Sequence, residues 1–529
     1  MPAQSHPYPH RWTALCALLT AEAMNLLDAT IVQVAAPAMR ADLGGPAAAV
    51  PWLTSAYTLP FAVLLLTGGR LGDRYGRRRV FRTGVAGFLL ASLACSCAPT
   101  LAALLAFRAV QGATAAVVVP QTIGLIKALF RGPETGRALG TIGPVMGLAA
   151  LCGPVLGGLL THADLLGSSW RAVFLVNLPL ALAVLAVAPL LPEDRAPHRP
   201  GLDPAGSTLA AAATGLVVLP LLRPDGSVTD APALASLAAG AALTVGFGAH
   251  QRRGARRGAA TLIERSLFTS VRFPAALACS ALFFAVTTGL TLVVVLQLQL
   301  GSGADALTCG LTLLPGSAGM AAASWYTGAR LLPRYGAKVM PVGLAALALG
   351  LLAVAGAYRA GGSPAPLSCA LVVLGAGQGL FTPAFFTTAL RPLRPQETGS
   401  AAGLLNAVQQ LGATLGVAVL GRVYLAGPGT AGAQRACWVA LGALVLLAAA
   451  ARGMRTPGGE PPTAGPDASG PAAAAGRTAR PDAEARHTAR PDAEARHTAR
   501  PDAEARHTAR PDRAESEPTA EPQGTAHAG

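Results

Sequence analysis

Charge is scarce in this chain. Only 13% of its 529 residues are Asp, Glu, Lys or Arg, while 52% are hydrophobic. Apolar runs of about 20 residues follow one another along most of the length, which excludes an ordinary water-soluble globule. Acids are scarcer than bases, 26 against 41, for a formal net charge of +15. This excess does not single out a nucleic acid, because the arginines fall in alternate short loops and not on one face or in one tail. Lipid headgroups are the expected neighbours. Cysteine is limited to eight residues, none in a C-x-x-C spacing. No metal centre or redox pair is expected, and the cysteines read as small packing residues. No G-x-x-x-x-G-K-S/T loop occurs, which argues against a nucleotide-driven pump. The nine histidines lie in loops or tails, so the spans lack the base, nucleophile or metal cluster that an integral membrane enzyme needs.

What is present is an all-α, polytopic membrane pattern. Fourteen apolar runs, from 12–36 to 434–452, are long enough to cross about 30 Å of hydrocarbon. An even count puts both termini on one side. The first run has no small-residue cleavage site and is expected to stay as a span behind a cytoplasmic segment 1–11. The positive-inside rule supports the count. The side of the cluster Gly69 to Val80 collects Lys127, Arg131, Arg137, the pairs Arg252-Arg253 and Arg256-Arg257, Arg330, Arg334, Lys338 and Arg391, whereas the other side holds few arginines. Both termini are therefore expected in the cytoplasm. Trp12, Trp52, Trp170, Trp325 and Trp438 fall near span ends, where an indole suits the interface. From 456 to 529 the chain turns to Pro, Ala, Arg, Asp and Glu, with ARPDAEARHT repeated from Ala479 to Thr508. No apolar face exists there to bury, and a disordered cytoplasmic tail is expected.

The cluster itself, GRLGDRYGRRRV, packs one acid and five arginines between two apolar runs. Its spacing resembles the loop between helices 2 and 3 of the major facilitator superfamily. A degenerate copy, Arg330 to Gly336, repeats the R-L-x-x-R-Y-G of Arg70 to Gly76, with Pro333 in place of Asp73. The chain is thus internally duplicated, and the two runs in 204–250 are extra. The expected plan is 6+2+6: an N-terminal bundle over 12–190, two inserted spans over 204–250 and a C-terminal bundle over 272–452. It resembles the fourteen-span drug:proton antiporter branch of the superfamily, which implies two parallel halves around a midplane cavity.

Before the tail, only two acids, Glu22 and Asp28, lie within a span. A charged acid at that depth costs several kcal/mol unless it is paired, protonated or wet. The two are about 120° apart on a helix and are not expected to share one proton. Asp28 falls in LLDATIVQVAAP, similar to the L-D-x-T-I-V-N-V-A-x-P signature of the branch, with Gln33 where the family has Asn. Arg108, in RAVQGA, resembles the fourth-helix R-x-x-Q-G motif, with Gln111 and Gly112 supporting it. A cation beside an acid favours the ionised form, so parting the two lets a proton bind. Gly153, Pro154, Gly157 and Gly158 resemble the fifth-helix antiporter motif, read as an export-related hinge. In the loop motif, Gly69, Gly72, Asp73, Arg74, Gly76 and Arg77 form the expected conformational switch, with Asp73 capping the next helix or pairing with arginines. Asp305 reads as solvated.

The resemblance implies proton-coupled efflux of drugs, antibiotics or other amphiphilic molecules across a bacterial plasma membrane. Asp28, Arg108 and Glu22 are the proton-coupling candidates, the proton gradient replaces any cofactor, and no obligatory protein partner is implied. Few membrane acids point to neutral or weakly charged substrates. Uptake or exchange of a metabolite is the alternative within transport.

Overall fold

The apolar runs are helices because, with no water in the bilayer, each segment must satisfy its own backbone hydrogen bonds. The computed structural model describes residues 8–130, 133–164, 167–194, 201, 203–221, 230–257, 261–262, 265–268, 271–391, 393 and 398–454. The tail over 456–529 lies outside them. The long helices are α1 (Arg11–Leu43), α2 (Ala49–Tyr75), α3 (Arg77–Ser96), α4 (Leu101–Leu129), α5 (Ile142–His162), α6 (Asn177–Val187), α7 (Pro204–Leu221), α8 (Ala231–Arg256), α9 (Arg272–Leu296), α10 (Ala306–Tyr326), α11 (Val339–Arg359), α12 (Pro364–Leu390), α13 (Thr398–Leu425) and α14 (Thr430–Gly453). Among the described residues, 12 stretches are long and apolar enough to cross a membrane, and one of them, Ala306–Arg359, holds both α10 and α11. The chain is a multi-pass membrane protein. Helix α3 is not in that count because Arg77, Arg78, Arg79 and Arg82 occupy its first two turns.

Packing repeats with a shift of eight helices. Helix α2 packs on α4 as α10 packs on α12, α3 on α4 as α11 on α12, and α1 on α5 as α9 on α13. Two further seams cross between the repeats, α5 against α10 and α2 against α13. They are related by the same shift, as expected when two copies of one bundle meet face to face. Small residues make these approaches possible. A Cβ on Gly68 would overlap the Ala116 carbonyl of α4, and one on Gly375 would overlap the Gly316 carbonyl in the corresponding α10–α12 contact. Midway along the second seam, the Thr58 and Thr414 hydroxyls lie 2.6 Å apart.

The structure corrects two expectations about polar segments. Gly69, Gly72 and Asp73 are not in a loop: α2 runs on to Tyr75, and only Gly76, at φ 100, separates it from α3. The helix can extend past the hydrocarbon because its last turns are already amphipathic and water-compatible, and glycine alone tolerates the positive φ of the corner. Trp170 is not an interfacial indole. It is fully buried, and its Nε1 donates to Asp42 Oδ2 at 2.9 Å. Trp12, Trp325 and Trp438 do remain exposed at span ends. All eight cysteines are free.

Because Gly68 meets backbone and not a flexible side chain, Gly68→Leu forces α2 and α4 apart. A loss of about 1–3 kcal/mol is expected, read as a lower thermal midpoint of the detergent-solubilised protein. Gly215→Ala, where a Cβ meets nothing, is expected to leave the midpoint in place. An unshifted Gly68→Leu would contradict the packing.

Candidate functional site

Asp28 lies at mid-depth on α1 and is completely buried. Arg108 and Gln111, one turn apart on α4, reach it together: Arg108 Nη1 donates to Asp28 Oδ2, and Gln111 Nε2 donates to Oδ1 at 2.9 Å. Asn177, at the start of α6, supplies a third donor, Nδ2 to Oδ1 at 2.8 Å. Gln111 is fixed in turn, its Oε1 accepting from Arg108 at 2.7 Å and its Nε2 donating to Ser92 Oγ of α3 at 2.9 Å. The Arg108 guanidinium lies over the Tyr57 ring at 4.5 Å. Gly112 makes this approach possible, since a Cβ there would overlap the Tyr57 carbonyl. Four helices thus converge on one carboxylate. A buried ion pair persists only when its remaining donors and acceptors are satisfied, and removing one partner typically costs about 3–5 kcal/mol.

The pair stands at the wall of a cavity of about 290 Å³ between the repeats. Arg108 lines it with Thr30, Gln33 and Tyr57, and Thr287, Gln378 and Gln410 come from the later helices. Among the described residues no Asp or Glu lines it. Glu22 stays apart from the cluster: it is buried on α1, with the Thr122 hydroxyl of α4 as a polar neighbour and no ion pair among the described residues. Asp28, Arg108 and Gln111 are therefore brought together, and Glu22 is not.

The fifth-helix motif forms the seam on the side of the membrane away from the arginine cluster. A Cβ on Gly158 would overlap the Ala306 carbonyl at the start of α10, and one on Gly310 would overlap the Pro154 carbonyl. Gly153 and Gly157 face α1, at Thr30 and Ile31. Gln299 adds a hydrogen bond to the Val34 carbonyl at 2.7 Å, and His162 meets Asp305 at 3.2 Å. Asp305 is therefore more than solvated: it also caps α10, accepting from Thr308 N at 3.2 Å. Its hydrogen bonds to Thr308 hold it below the usual carboxylate range, with the nearby His162 adding to the effect.

On the opposite face Arg77 is the hub. It pairs with Asp73 at 2.8 Å and with Asp194, beyond α6, at 3.0 Å, while Arg78 pairs with Glu193 at 3.4 Å. Asp73 thus pairs instead of capping, since α3 has no side-chain cap. Gly124 of α4 leaves the room that Arg77 fills, and Gly72 the room for Gln121. Gly69 meets only Pro120 Cβ at 3.6 Å, ordinary contact, and Arg74 lies by the Tyr75 ring. In the degenerate copy, Arg330 and Arg334 have no ion pair among the described residues.

Sequence reasoning missed Asn177, Ser92, Glu193 and Asp194. Asn177 had a signal, a lone amide inside the apolar run FLVNLPLAL. Ser92 had none.

A helical bundle built from two copies, with a charge pair on the wall of a central cavity, defines a membrane transporter. The chain belongs to the Major Facilitator Superfamily, whose family model matches residues 18–417. It is 45% identical over 422 residues, 79% of this chain and 73% of the relative, to a protein named "Probable actinorhodin transporter" from Streptomyces coelicolor. It is 31% identical over 414 residues, 78% and 75% of the two chains, to the "Tetracenomycin C resistance and export protein" of Streptomyces glaucescens. Among solved structures, a peptide transporter in complex with sulfate shares the fold with a TM-score of 0.60 at 16% identity, covering 84% of this chain and 95% of its own.

Asn177→Ala removes one of the donors to Asp28 Oδ1 and leaves the charge underserved. The expected loss is about 1–3 kcal/mol in thermal unfolding of the purified protein, larger when combined with Gln111→Ala. Wild-type stability in the double variant would exclude the network described above.

Proposed function

We propose that this chain exports amphiphilic small molecules of the antibiotic kind across a bacterial plasma membrane in exchange for protons. The observation that carries the reading is Arg108, which holds the buried Asp28 carboxylate and at the same time lines the central cavity. While the guanidinium is in place, the Asp28 carboxyl has a partner. Any rearrangement of the cavity that draws Arg108 away leaves an unpaired carboxylate in a low-dielectric site, and proton uptake relieves it. Protonation and cavity shape are thereby linked without direct contact between proton and substrate.

The relative named as a resistance and export protein supports the outward direction. The close α5–α10 seam supports it too, since a glycine-lined contact on one face can separate and reclose as the halves rock. We assign the halves to 12–190 and 272–452, with 204–250 as two inserted spans, and α3 as a span despite its arginine-rich start, giving fourteen. Both termini then face the cytoplasm, as does the Arg77 latch to Asp73 and Asp194. Among the described residues the cavity carries hydroxyls and amides, one paired cation and no carboxylate, a lining suited to neutral or weakly charged substrates with hydrogen-bonding oxygens, and ill suited to dications.

Everted membrane vesicles energised by an inside-acid pH gradient, given a fluorescent amphiphile in the bath and matched for expression, test this through its accumulation in the lumen. Asp28→Asn is expected to abolish proton-driven efflux while purified protein still binds the amphiphile, and Asp28→Glu to retain part of it. Wild-type efflux in Asp28→Asn would place the proton elsewhere, with Glu22 the next residue to replace.

A further inference from the structure

The two inserted helices differ from the rest of the molecule in what they show to the bilayer. Only 11% of the α8 window is buried, the smallest share among the 12 candidate spans. One face of α8 therefore lies open along Val245, Gly248, Ala249, Arg252 and Arg256, residues spaced three or four apart. With Arg253 they line a groove of about 410 Å³. Val245 is 72% exposed, and a Cβ at Gly248 would meet nothing within 4 Å. The three arginines are exposed, and among the described residues none has a carboxylate partner. The groove is thus apolar and shallow at one end and tricationic at the other, where the chain leaves the hydrocarbon.

The opposite side of the same turn is anchored. His250 Nε2 lies 2.9 Å from Asp203 Oδ1, and Gln251 Nε2 donates to Asp203 Oδ2 at 2.7 Å. Burial works against the Asp203 charge, but His250, the Gly206 N–H and Gln251 more than offset it and hold the carboxyl below its ordinary range. From there Ser207 Oγ is 2.7 Å from Thr67 Oγ1 of α2, and Arg70 donates to the Gly201 carbonyl at 3.2 Å. The arginine groove is therefore tied rigidly to the α2 end that carries Asp73 and the Arg77 hub.

We propose that the α8 groove is a binding site for an anionic phospholipid of the leaflet on the arginine-rich face. Its phosphate would sit on Arg252, Arg253 and Arg256 and one acyl chain along Val245, Gly248 and Ala249. Charge complementarity selects this occupant. The groove has cations at one end and no polar group along its length, the distribution of an acidic lipid and not of a soluble anion or a protein helix.

The test is titration of the purified full-length chain with phosphatidylglycerol and with phosphatidylcholine, read by native mass spectrometry as lipid retained per protein. Wild type is expected to retain phosphatidylglycerol preferentially. Arg252→Gln, Arg253→Gln and Arg256→Gln together are expected to weaken retention about fivefold per arginine, the equivalent of about 1 kcal/mol each. Gly248→Leu, which fills the groove without altering charge, is expected to weaken it as well. Arg330→Gln with Arg334→Gln, two arginines on the same face away from the groove, is expected to change nothing. Equal retention of the two lipids by wild type would overturn the proposal, as would undiminished retention in the triple variant or an equal fall in the control pair. Should the triple variant fail to fold, Gly248→Leu decides alone, and undiminished retention there rejects the site.

Discussion

A carboxylate and a guanidinium buried at the centre of a bilayer protein are the constraint around which this structure is arranged. Neither Asp28 nor Arg108 can be left there alone, and a bare pair is not enough, because each has further donors or acceptors to satisfy. Gln111, Asn177 and Ser92 are placed by that requirement, so that α1, α3, α4 and α6 have to meet at one depth. Gly112 lets α4 come close enough to α2 for the guanidinium to lie on Tyr57. The same pair explains why the cavity sits where it does: Arg108 is shared between the carboxylate behind it and the open space in front.

Away from that centre the bundle is divided into surfaces that fit closely but are not interlocked. The α5–α10 seam brings Gly158 and Gly310 onto backbone carbonyls of the facing helix. On the opposite face the ion pairs are partly hydrated, Arg77 with Asp73 and Asp194. Exposed pairs of this kind are each worth little, about 0–1 kcal/mol. Helix α7 meets α2 through Ser207 against Thr67 and α13 through Val218 against Ala418. It therefore touches both sides of the second seam.

Much of this was legible in the sequence because membrane burial writes in strong symbols. An acid in an apolar run is conspicuous, and the sequence sets Asp28, Arg108 and Glu22 together with Gln111 in support, of which the structure joins Asp28, Arg108 and Gln111 and leaves Glu22 apart; the internal duplication carried by Arg70 to Gly76 and Arg330 to Gly336 is equally visible. The glycines of the fifth helix were visible as a motif, but their partners on α10 were not, because a close approach is recorded on both surfaces and only one stood out. Helix ends were the weaker part. The sequence marks where hydrophobicity stops, not where hydrogen bonding stops, so α2 ran past its apolar stretch to Tyr75. Ser92 and Trp170 were misjudged or unseen for a related reason, since a serine or an indole in a span looks the same whether it faces lipid or a polar side chain on another helix.

The most direct test of the central claim is infrared spectroscopy of the Asp28 carboxyl in the lipid-reconstituted protein. A protonated carboxylic acid is expected to appear on acidification, to vanish in Asp28→Asn and to remain in Glu22→Gln. If the titrating acid survives Asp28→Asn unchanged, Asp28 is a permanent structural ion and the proton is bound at another residue.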